Sequence, residues 1–320
     1  MASATHDPEA GPGPVVVGYD GSDGARRALT WAAQEAERRR AVLQVTVCTD
    51  WHPVSSPEAA GVLLTAPDLE VVGQELADDA VARLRADHPG LRVRTEVRAW
   101  APPVPSLLAE SERAQLLVLG SRGRGAFADL MLGSTSAQVA VHAHCPVVVV
   151  RPPGPSGGTG GEAGAAQRGT TGGVVVGVDG SPAARAALAF AVETATQRGA
   201  ALRAVRVWQV PSLWGSSHHA APGAHVGDLE RAEQELLDAD VAAALDAAGP
   251  RPALEVGAVV VQGHPVDGLL QAARGADLLV VGSRGSGGFR GLLLGSVGRA
   301  VLHHARCPVA MVHSQSAQER

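Results

Sequence analysis

Short apolar runs alternate with longer segments of helical period along most of the chain. The runs are rich in Val and Leu, and they lack the strict alternation of apolar and polar positions that marks a sheet with one solvated face. We therefore predict an α/β fold in which a parallel sheet carries helices on both faces. The predicted strands lie near residues 14–20, 42–48, 91–98, 115–120, 146–150, 173–179, 202–208, 254–261, 277–282 and 308–312.

The chain carries this pattern twice. The stretch VVVGYDGSDGARRAL at residues 15–29 returns as VVVGVDGSPAARAAL at residues 174–188. A later stretch, LLVLGSRGRGAFADLMLGSTS from Leu116, returns as LLVVGSRGSGGFRGLLLGSVG from Leu278. Because the copies keep the same order over their whole length, and the repeat is much longer than a solenoid unit, we predict two complete domains.

The segments outside the two domains have the composition of chain without a packed core. The domains span residues 14–151 and 174–314. Between them, residues 152–173 are rich in Gly and have no apolar face to bury, which predicts a flexible linker. We expect a disordered N-terminal tail at residues 1–13 and a short C-terminal tail at residues 315–320.

An aspartate ends the first strand of each domain, and a helix follows directly. Ser22 and Ser181 are the predicted N-caps of these helices, and Pro182 occupies the first helical position in the second domain. At the carboxyl end of a central strand, Asp20 and Asp179 are placed to bind ribose hydroxyls or a metal-bound water. They are equally suited to hold an Asx turn over the following Gly-Ser, and both roles stay open.

Both domains contain the pattern Gly-x-x-Gly-x9-Gly-Ser, starting at the end of a predicted strand. Glycine lets the backbone approach a ligand closely, and free N–H groups at the start of the next helix favour an anion. The pattern is typical of a phosphate cradle, although glycines that only shape a loop remain an alternative. Its recurrence favours the cradle; the residues are Gly120, Gly123, Gly133 and Ser134, then Gly282, Gly285, Gly295 and Ser296.

The composition argues for a packed protein and against two classes of partner. Hydrophobic residues make up 45% of the 320 residues and charged residues 18%, which is typical of a globular chain. The net charge is −5 and no basic run occurs, so we expect binding neither to nucleic acid nor to a membrane. All 27 basic residues are arginine, so the chain lacks the lysine that a Walker A loop requires.

The cysteines and the N-terminal segment bear on location. Cys48, Cys145 and Cys307 are too few and too scattered for a disulfide framework or a zinc cluster. The first residues contain neither a basic segment nor an apolar core of a signal peptide. A cytoplasmic protein is therefore the expectation.

Together, the strand-ending aspartates, the paired glycine loops and the final strands CPVVVV and CPVAMV resemble the universal stress protein family in its tandem form. The resemblance implies a Rossmann-like adenine-nucleotide-binding fold in each domain. Its five-stranded parallel sheet has the order 3-2-1-4-5, with helices on both faces. It also implies that ATP is the ligand, with Mg²⁺ bound through the phosphates.

The resemblance further implies the site residues. Val47 and Val207 are expected to contact adenine through backbone atoms, and Gly18 and Gly177 to lie under the nucleotide. Neither catalytic residues nor protein metal ligands are predicted. The implied binding residues are Gly18, Asp20, Val47, Gly120, Arg122, Gly123, Gly133, Ser134, Thr135 and Ser136 in the first domain, and Gly177, Asp179, Val207, Gly282, Arg284, Gly285, Gly295, Ser296, Val297 and Gly298 in the second.

The two copies depart from each other in two places. After the third strand the second domain has GHP at residues 263–265, whereas the first has WAPPVP at residues 100–105. The last helix begins GSTS in the first domain and GSVG in the second, which removes the hydroxyls of Thr135 and Ser136 from the second cradle. We therefore expect the second site to bind its ligand more weakly.

The sequence favours a regulator over an enzyme. Neither copy shows a nucleophile with its base or a lysine beside the phosphates, so we predict an ATP-binding regulator of a stress response. A slow ATPase and a nucleotide-independent protein-interaction module are the alternatives.

The fifth strands suggest how the two domains associate. Pro146–Val150 and Pro308–Val312 would be bare apolar edges, which a protein must cover. We predict that they pair within one chain as a pseudo-dimer. A homodimer of the whole chain and an unidentified protein partner stay open.

Overall fold

A computed structural model of the chain describes seven ranges that cover most of both domains. The predicted linker is outside these ranges except for residues 152, 172 and 173, and so are both predicted tails apart from Gly13. The described residues are 13–50, 66–123, 132–152, 172–209, 226–250, 253–286 and 294–314.

Strands and helices alternate in both halves, and a strand occurs at each of the ten predicted places. The first unit contains β1 (Val15–Gly18), α1 (Asp23–Arg38), β2 (Leu43–Thr49), α2 (Ala66–Asp87), β3 (Val93–Ala99), α3 (Pro103–Ser111), β4 (Leu116–Gly120), α4 (Ser134–His142) and β5 (Val147–Val150). The second unit contains β6 (Val174–Gly177), α5 (Pro182–Arg198), β7 (Leu202–Trp208), α6 (Val226–Ala247), β8 (Val256–Gln262), α7 (Pro265–Ala272), β9 (Leu278–Gly282), α8 (Ser296–His304) and β10 (Val309–Val312).

All ten strands form one sheet in the order β3-β2-β1-β4-β5-β10-β9-β6-β7-β8. Strands within a unit are parallel, whereas β5 and β10 are antiparallel. The predicted α/β class with a mostly parallel sheet is confirmed. In each unit the first strand lies between the second and the fourth, so the strand order reverses beside it and a cleft opens at its carboxyl end. Because the strands of the two units run in opposite directions, the two clefts lie at opposite ends of the strands.

Two apolar layers, one on each face of the sheet, form the core. Val15 and Val17 of β1 pack in the layer that contains α1, α2, α5 and α6, while Val16 packs in the layer of α3, α4, α7 and α8. Alternate residues of one strand therefore enter different layers, and both layers exclude water. This explains why the central strands are continuous runs of Val and Leu. None of the helices in the described ranges is long and apolar enough to cross a lipid bilayer.

The fifth strands of the two units pair with each other, as the sequence analysis predicts. Val148 lies opposite Ala310 in the antiparallel register, and both side chains are fully buried. The apolar edge that each unit would expose alone is thus covered by the other unit.

A buried carboxylate joins the two units on one face of this junction. The Glu35 carboxylate of α1 is fully buried and accepts hydrogen bonds from Arg39 Nε at 2.9 Å and Arg198 Nη2 at 2.8 Å. Arg39 lies over the ring of Phe190 and Arg198 over the ring of Trp31, at 5.4 and 5.0 Å from the ring centroids. The two arginines occupy equivalent positions in the repeat, at the C-terminal ends of α1 and α5, so the contacts are reciprocal and share one carboxylate.

Two contacts cross the junction on the other face. Arg151, directly after β5, donates a hydrogen bond from Nη1 to the carbonyl of Leu302 in the last turn of α8. His313, directly after β10, donates from Nε2 to the carbonyl of Val141 in α4, at 3.2 Å. These carbonyls belong to the last turn of each helix, where no intrahelical donor is available. Each unit therefore caps the last helix of the other.

We expect Glu35→Gln to lower the free energy of unfolding by about 3 kcal/mol, because two buried guanidinium groups lose the charge that they share. Glu37→Gln is the matched control on the same helix. Glu37 pairs with His88 at a half-exposed position, so its replacement should cost less than about 1 kcal/mol. Urea unfolding of both variants measures the difference. Equal losses would show that Glu35 contributes no more than a surface ion pair.

We expect stability to fall on mild acidification, and His313 to contribute to the fall. Burial, followed by the charges of Arg284 and His144, lowers the pKa of His313. The unfolded chain, with a pKa of about 6.5, then takes up a proton at a higher pH than the folded protein does, so the free energy of unfolding decreases as the pH drops through about 6.5. Above that range His313 is neutral in both states, so its titration no longer makes stability depend on pH.

The variant His313→Gln retains an N–H donor and does not titrate. Its free energy of unfolding should therefore fall less than that of the parent between about pH 7.5 and about pH 5.5. Thermal or urea unfolding at the two pH values gives the comparison. Identical losses in parent and variant would rule out His313 as a source of the acid sensitivity.

Candidate functional site

A tight turn follows the first strand of each unit. Asp20 Oδ1 accepts from the Ser22 N–H and Asp179 Oδ1 from the Ser181 N–H, both at 3.0 Å. The glycine between each pair has a positive φ, 76° in the first unit and 78° in the second, which L side chains rarely adopt. The Asx turn, one of the two roles left open by the sequence, is therefore present in both units.

The serines of this turn are the helix caps that the sequence predicts. Ser22 Oγ accepts from the Ala25 N–H and Ser181 Oγ from the Ala184 N–H, both at 3.1 Å. One of the first N–H groups of each helix is thus satisfied within the protein.

The same turn is bonded to the glycine loop. Asp179 Oδ2 accepts from the Ser286 N–H at 2.7 Å, and Ser181 Oγ donates to the Arg284 carbonyl at 3.1 Å. In the first unit, Ser22 Oγ donates to the Arg122 carbonyl at 3.4 Å. The aspartate and the loop are therefore adjacent. A carboxylate oxygen has two lone pairs, so each Asp179 oxygen can accept one further hydrogen bond from a ligand.

The first glycine of each loop is required by packing. A Cβ on Gly120 would lie 2.5 Å from the carbonyl carbon of Gly24 at the start of α1. A Cβ on Gly282 would lie 2.8 Å from the carbonyl carbon of Ala183 in α5. For these two positions, the interpretation that glycine only shapes the loop is sufficient.

The later glycines differ from the first. A Cβ on Gly123 or Gly285 would lie 2.6 Å from Oδ2 of Asp20 or Asp179, so these glycines let the carboxylate approach the loop. A Cβ on Gly133 or Gly295 would come no closer than 3.6 Å to any described atom beyond the adjacent residues, and φ is −73° and −70°. Nothing in the described protein demands glycine at Gly133 and Gly295, which leaves room for a ligand against the backbone.

Two uncapped helix N-termini complete the loops. Gly133 and Gly295 are the N-caps of α4 and α8, and no side chain of the described ranges caps either helix. Ser134 and Ser296 are the first helical residues rather than caps. The first N–H groups of each helix have no intrahelical acceptor, and the helix dipole favours an anion beside them.

In the second unit these features surround one cavity of about 330 Å³. All ten binding residues implied for that unit line it, including Val207 from β7 and Arg284 from the loop. The wall also contains residues that the sequence analysis missed, most of them apolar. For Leu269 the apolar face of α7 was an available signal. The missed residues are Val178, Ala184, Val205, Pro265, Leu269, Val281 and Ser286.

The register of the second strand shows which residue of the first unit is the counterpart of Val207, while the predicted backbone contact of Val47 with adenine stays a prediction. Val15 pairs with Leu43, and its equivalent Val174 pairs with Leu202, so the counterpart of Val207 is Cys48. The Val47 side chain is buried in the layer of α1 and α2, on the opposite face of the sheet. Alternate residues of a strand point to opposite faces, so an offset of one residue exchanges the layers.

Cys48 is the half-buried side chain on the cleft face of β2. Burial raises the pKa of its thiol, while a hydrogen bond with Ser106 acts in the opposite direction. The thiol is therefore neutral near pH 7, and at this position the first cleft has a more polar wall than the second.

Ser136 does not present its hydroxyl to the cleft. Ser136 Oγ is buried and donates to the Gly120 carbonyl at 2.6 Å, so the expectation that this hydroxyl contributes to the cradle is wrong. Its N–H remains at the helix N-terminus. The difference in cradle hydroxyls between the two units thus reduces to Thr135, which weakens the argument for unequal affinity.

Within the described ranges, no group of three or more His, Cys, Asp or Glu residues is arranged to hold a metal ion. Among the described residues that line the second cleft, Asp179 supplies a carboxylate, Arg284 a guanidinium, and the loop and helix N-terminus backbone donors beside an apolar wall. Asp20 and Arg122 are the counterparts of Asp179 and Arg284 in the first unit.

The fold and these clefts define a tandem, doubly wound α/β protein with a glycine loop at the switch point of each unit. The family model described as "Universal stress protein family" matches residues 13–151 and 172–313. The chain belongs to the universal stress protein family.

Curated relatives and solved structures agree with this assignment. The chain is 36% identical over 313 residues to universal stress protein Rv2005c of Mycobacterium tuberculosis, covering 92% of this chain and 95% of that protein. It is 34% identical to universal stress protein Rv2623 of the same organism over 311 residues, covering 92% and 94%. A crystal structure of a universal stress protein from Archaeoglobus fulgidus has a TM-score of 0.60 at 19% identity, covering 94% of this chain and 98% of that one, and supports the fold.

We expect two glycine-to-alanine substitutions in the second loop to separate packing from the cradle. Gly282→Ala should lower the free energy of unfolding by about 1 to 3 kcal/mol, because the added methyl meets backbone atoms of α5. Gly295→Ala should cost less than about 1 kcal/mol, because the space beside it is open. Chemical denaturation measures both values. A cost for Gly295→Ala as large as that for Gly282→Ala would contradict this division.

Proposed function

We propose that this protein is an ATP-binding regulator of a stress response, with one nucleotide site in each unit. The observation that carries the proposal is the cavity of about 330 Å³ in the second unit. Every residue implied for that site lines this one space, although the residues come from four separate parts of the chain. Its volume lies within the range of small-ligand pockets, which is about 300 to 1,000 Å³.

The lining supplies a complementary group for each part of a nucleotide. Val205, Val207 and Leu269 form an apolar wall suited to a base. Asp179 retains lone pairs for ribose hydroxyls. The N-terminus of α8 and the guanidinium of Arg284 suit phosphates. In this proposal Mg²⁺ is held through the phosphates, since the described residues offer no carboxylate cluster of their own.

The first unit offers the same framework with a different wall. Asp20, the Gly123 loop and the N-terminus of α4 repeat the arrangement around Asp179. Thr46 and Cys48 replace Val205 and Val207 along the second strand. We propose ATP for both sites, with Val47 contributing at most its backbone.

A regulator suits these sites better than an enzyme does. Rapid phosphoryl transfer relies on cationic groups and a residue that orients the nucleophile, and the chain contains no lysine. We propose that an as yet unidentified protein partner distinguishes the ATP-bound from the free form. A reducing cytoplasm is compatible with the three free cysteines.

We expect MgATP to raise the melting temperature of the protein. We also expect a variant that has lost one of the two sites to bind about one equivalent of MgATP, where the parent binds two. At a hundred times the dissociation constant, a ligand adds about 2.7 kcal/mol to the stability of the form that binds it. Asp20→Ala should weaken the first site and Asp179→Ala the second, each by about ten- to hundredfold. Asp23→Ala, an exposed aspartate in the first turn of α1, is the matched control.

Melting curves and calorimetric titration with MgATP measure both effects. If millimolar MgATP produced no melting shift and no heat of binding, the proposed function would be overturned. Phosphate release under saturating MgATP should stay below about 1 per second, the lower end for kinases. Faster release would favour the ATPase alternative.

A further inference from the structure

The last helix of each unit connects one cleft to the other unit. The N-terminus of α8 lines the second cleft, and its last turn accepts the hydrogen bond from Arg151 of the first unit. The N-terminus of α4 belongs to the first cleft, and its last turn accepts from His313 of the second unit. Each helix therefore has a cradle at one end and a contact from the other unit at its opposite end.

The crossing residues are also attached to the glycine loops of their own units. The Ser121 N–H, at the start of the first loop, donates to the Val150 carbonyl at 2.9 Å, and Arg151 is the next residue. The Ser283 N–H donates to the Val312 carbonyl at 2.8 Å, and His313 is the next residue. A continuous series of bonds thus runs from each loop to the last helix of the other unit.

We propose that ligand binding at one cleft increases the affinity of the other cleft through the contacts of Arg151 and His313. This inference rests on the proposed function, because it concerns the same two sites. The coupling acts in both directions with equal strength, as thermodynamic linkage requires.

The charges beside the crossing residues give the coupling its sign. Burial and then the charge of Arg122 lower the pKa of Arg151, so the charged guanidinium is held at an electrostatic cost. His313 has a lowered pKa, so it is neutral near pH 7 and contributes a hydrogen bond and not a charge. The sign therefore comes from Arg151, because an anionic ligand beside Arg122 offsets the repulsion between these two guanidinium groups. The crossing contact and the helix that it caps are then stabilised, which orders the N–H groups of the other cradle.

The test compares affinities with and without the crossing contacts, using MgATP as the probe. Asp20→Ala and Asp179→Ala each leave one working site, and calorimetry gives its dissociation constant. In the parent, the second equivalent should bind at least about fivefold more tightly than the single-site variants predict. The double variant Arg151→Met/His313→Phe removes both crossing donors, and its two sites should bind independently. Arg299→Gln removes an exposed charge from α8 and is the control that should keep the coupling.

The outcomes separate the coupling from the proposed function. Two sites that bind MgATP in the parent with the affinities of the single-site variants would overturn the coupling and leave the function intact. No binding by any variant would overturn both. The single variants Arg151→Met and His313→Phe serve if the double variant does not fold. Amide exchange in α8 provides a ligand-independent measure: Arg151→Met should speed it relative to Arg299→Gln, and equal exchange would contradict the cap on which the coupling depends.

Discussion

The antiparallel pairing of β5 with β10 is the interaction on which the rest of this structure depends. Alone, each unit would expose an apolar edge strand, with Val148 in the first unit and Ala310 in the second. Exposed apolar edge strands promote aggregation. The pairing joins two five-stranded sheets into one and sets their strands in opposite directions. Because the strands run in opposite directions, the two clefts lie at opposite ends of the strands. The same arrangement brings the last turn of α4 and of α8 against the other unit.

Burial of charge at the junction makes this pairing specific. Glu35 is fully buried, so its carboxylate must be matched, and Arg39 and Arg198 supply the match from the two units. The aromatic rings of Phe190 and Trp31 cover the outer faces of these guanidinium groups. A different docking of the units would leave an unpaired charge in an apolar layer, which costs more than a lost surface contact.

The glycines of one loop look alike in the sequence, but they have different surroundings in the structure. At Gly282 the backbone of α5 leaves no room for a side chain, so the residue is needed for the fold. At Gly295 the neighbouring space is open, and the backbone conformation suits any residue. At Gly295, therefore, the described part of the fold itself does not need glycine. The serine of the Asx turn then links the loop to α5, so the fold and the cleft share the same bonds.

The sequence by itself determined the duplication, the ten strands and the Ser22 and Ser181 caps. These follow from the repeated motifs, from local periodicity and from capping preferences. Only the tertiary structure decided that Cys48 and not Val47 faces the cleft, that Ser136 bonds to Gly120, and that Glu35 is shared between the units. Each of these depends on strand register or on contacts between residues far apart in the chain, which local pattern does not encode.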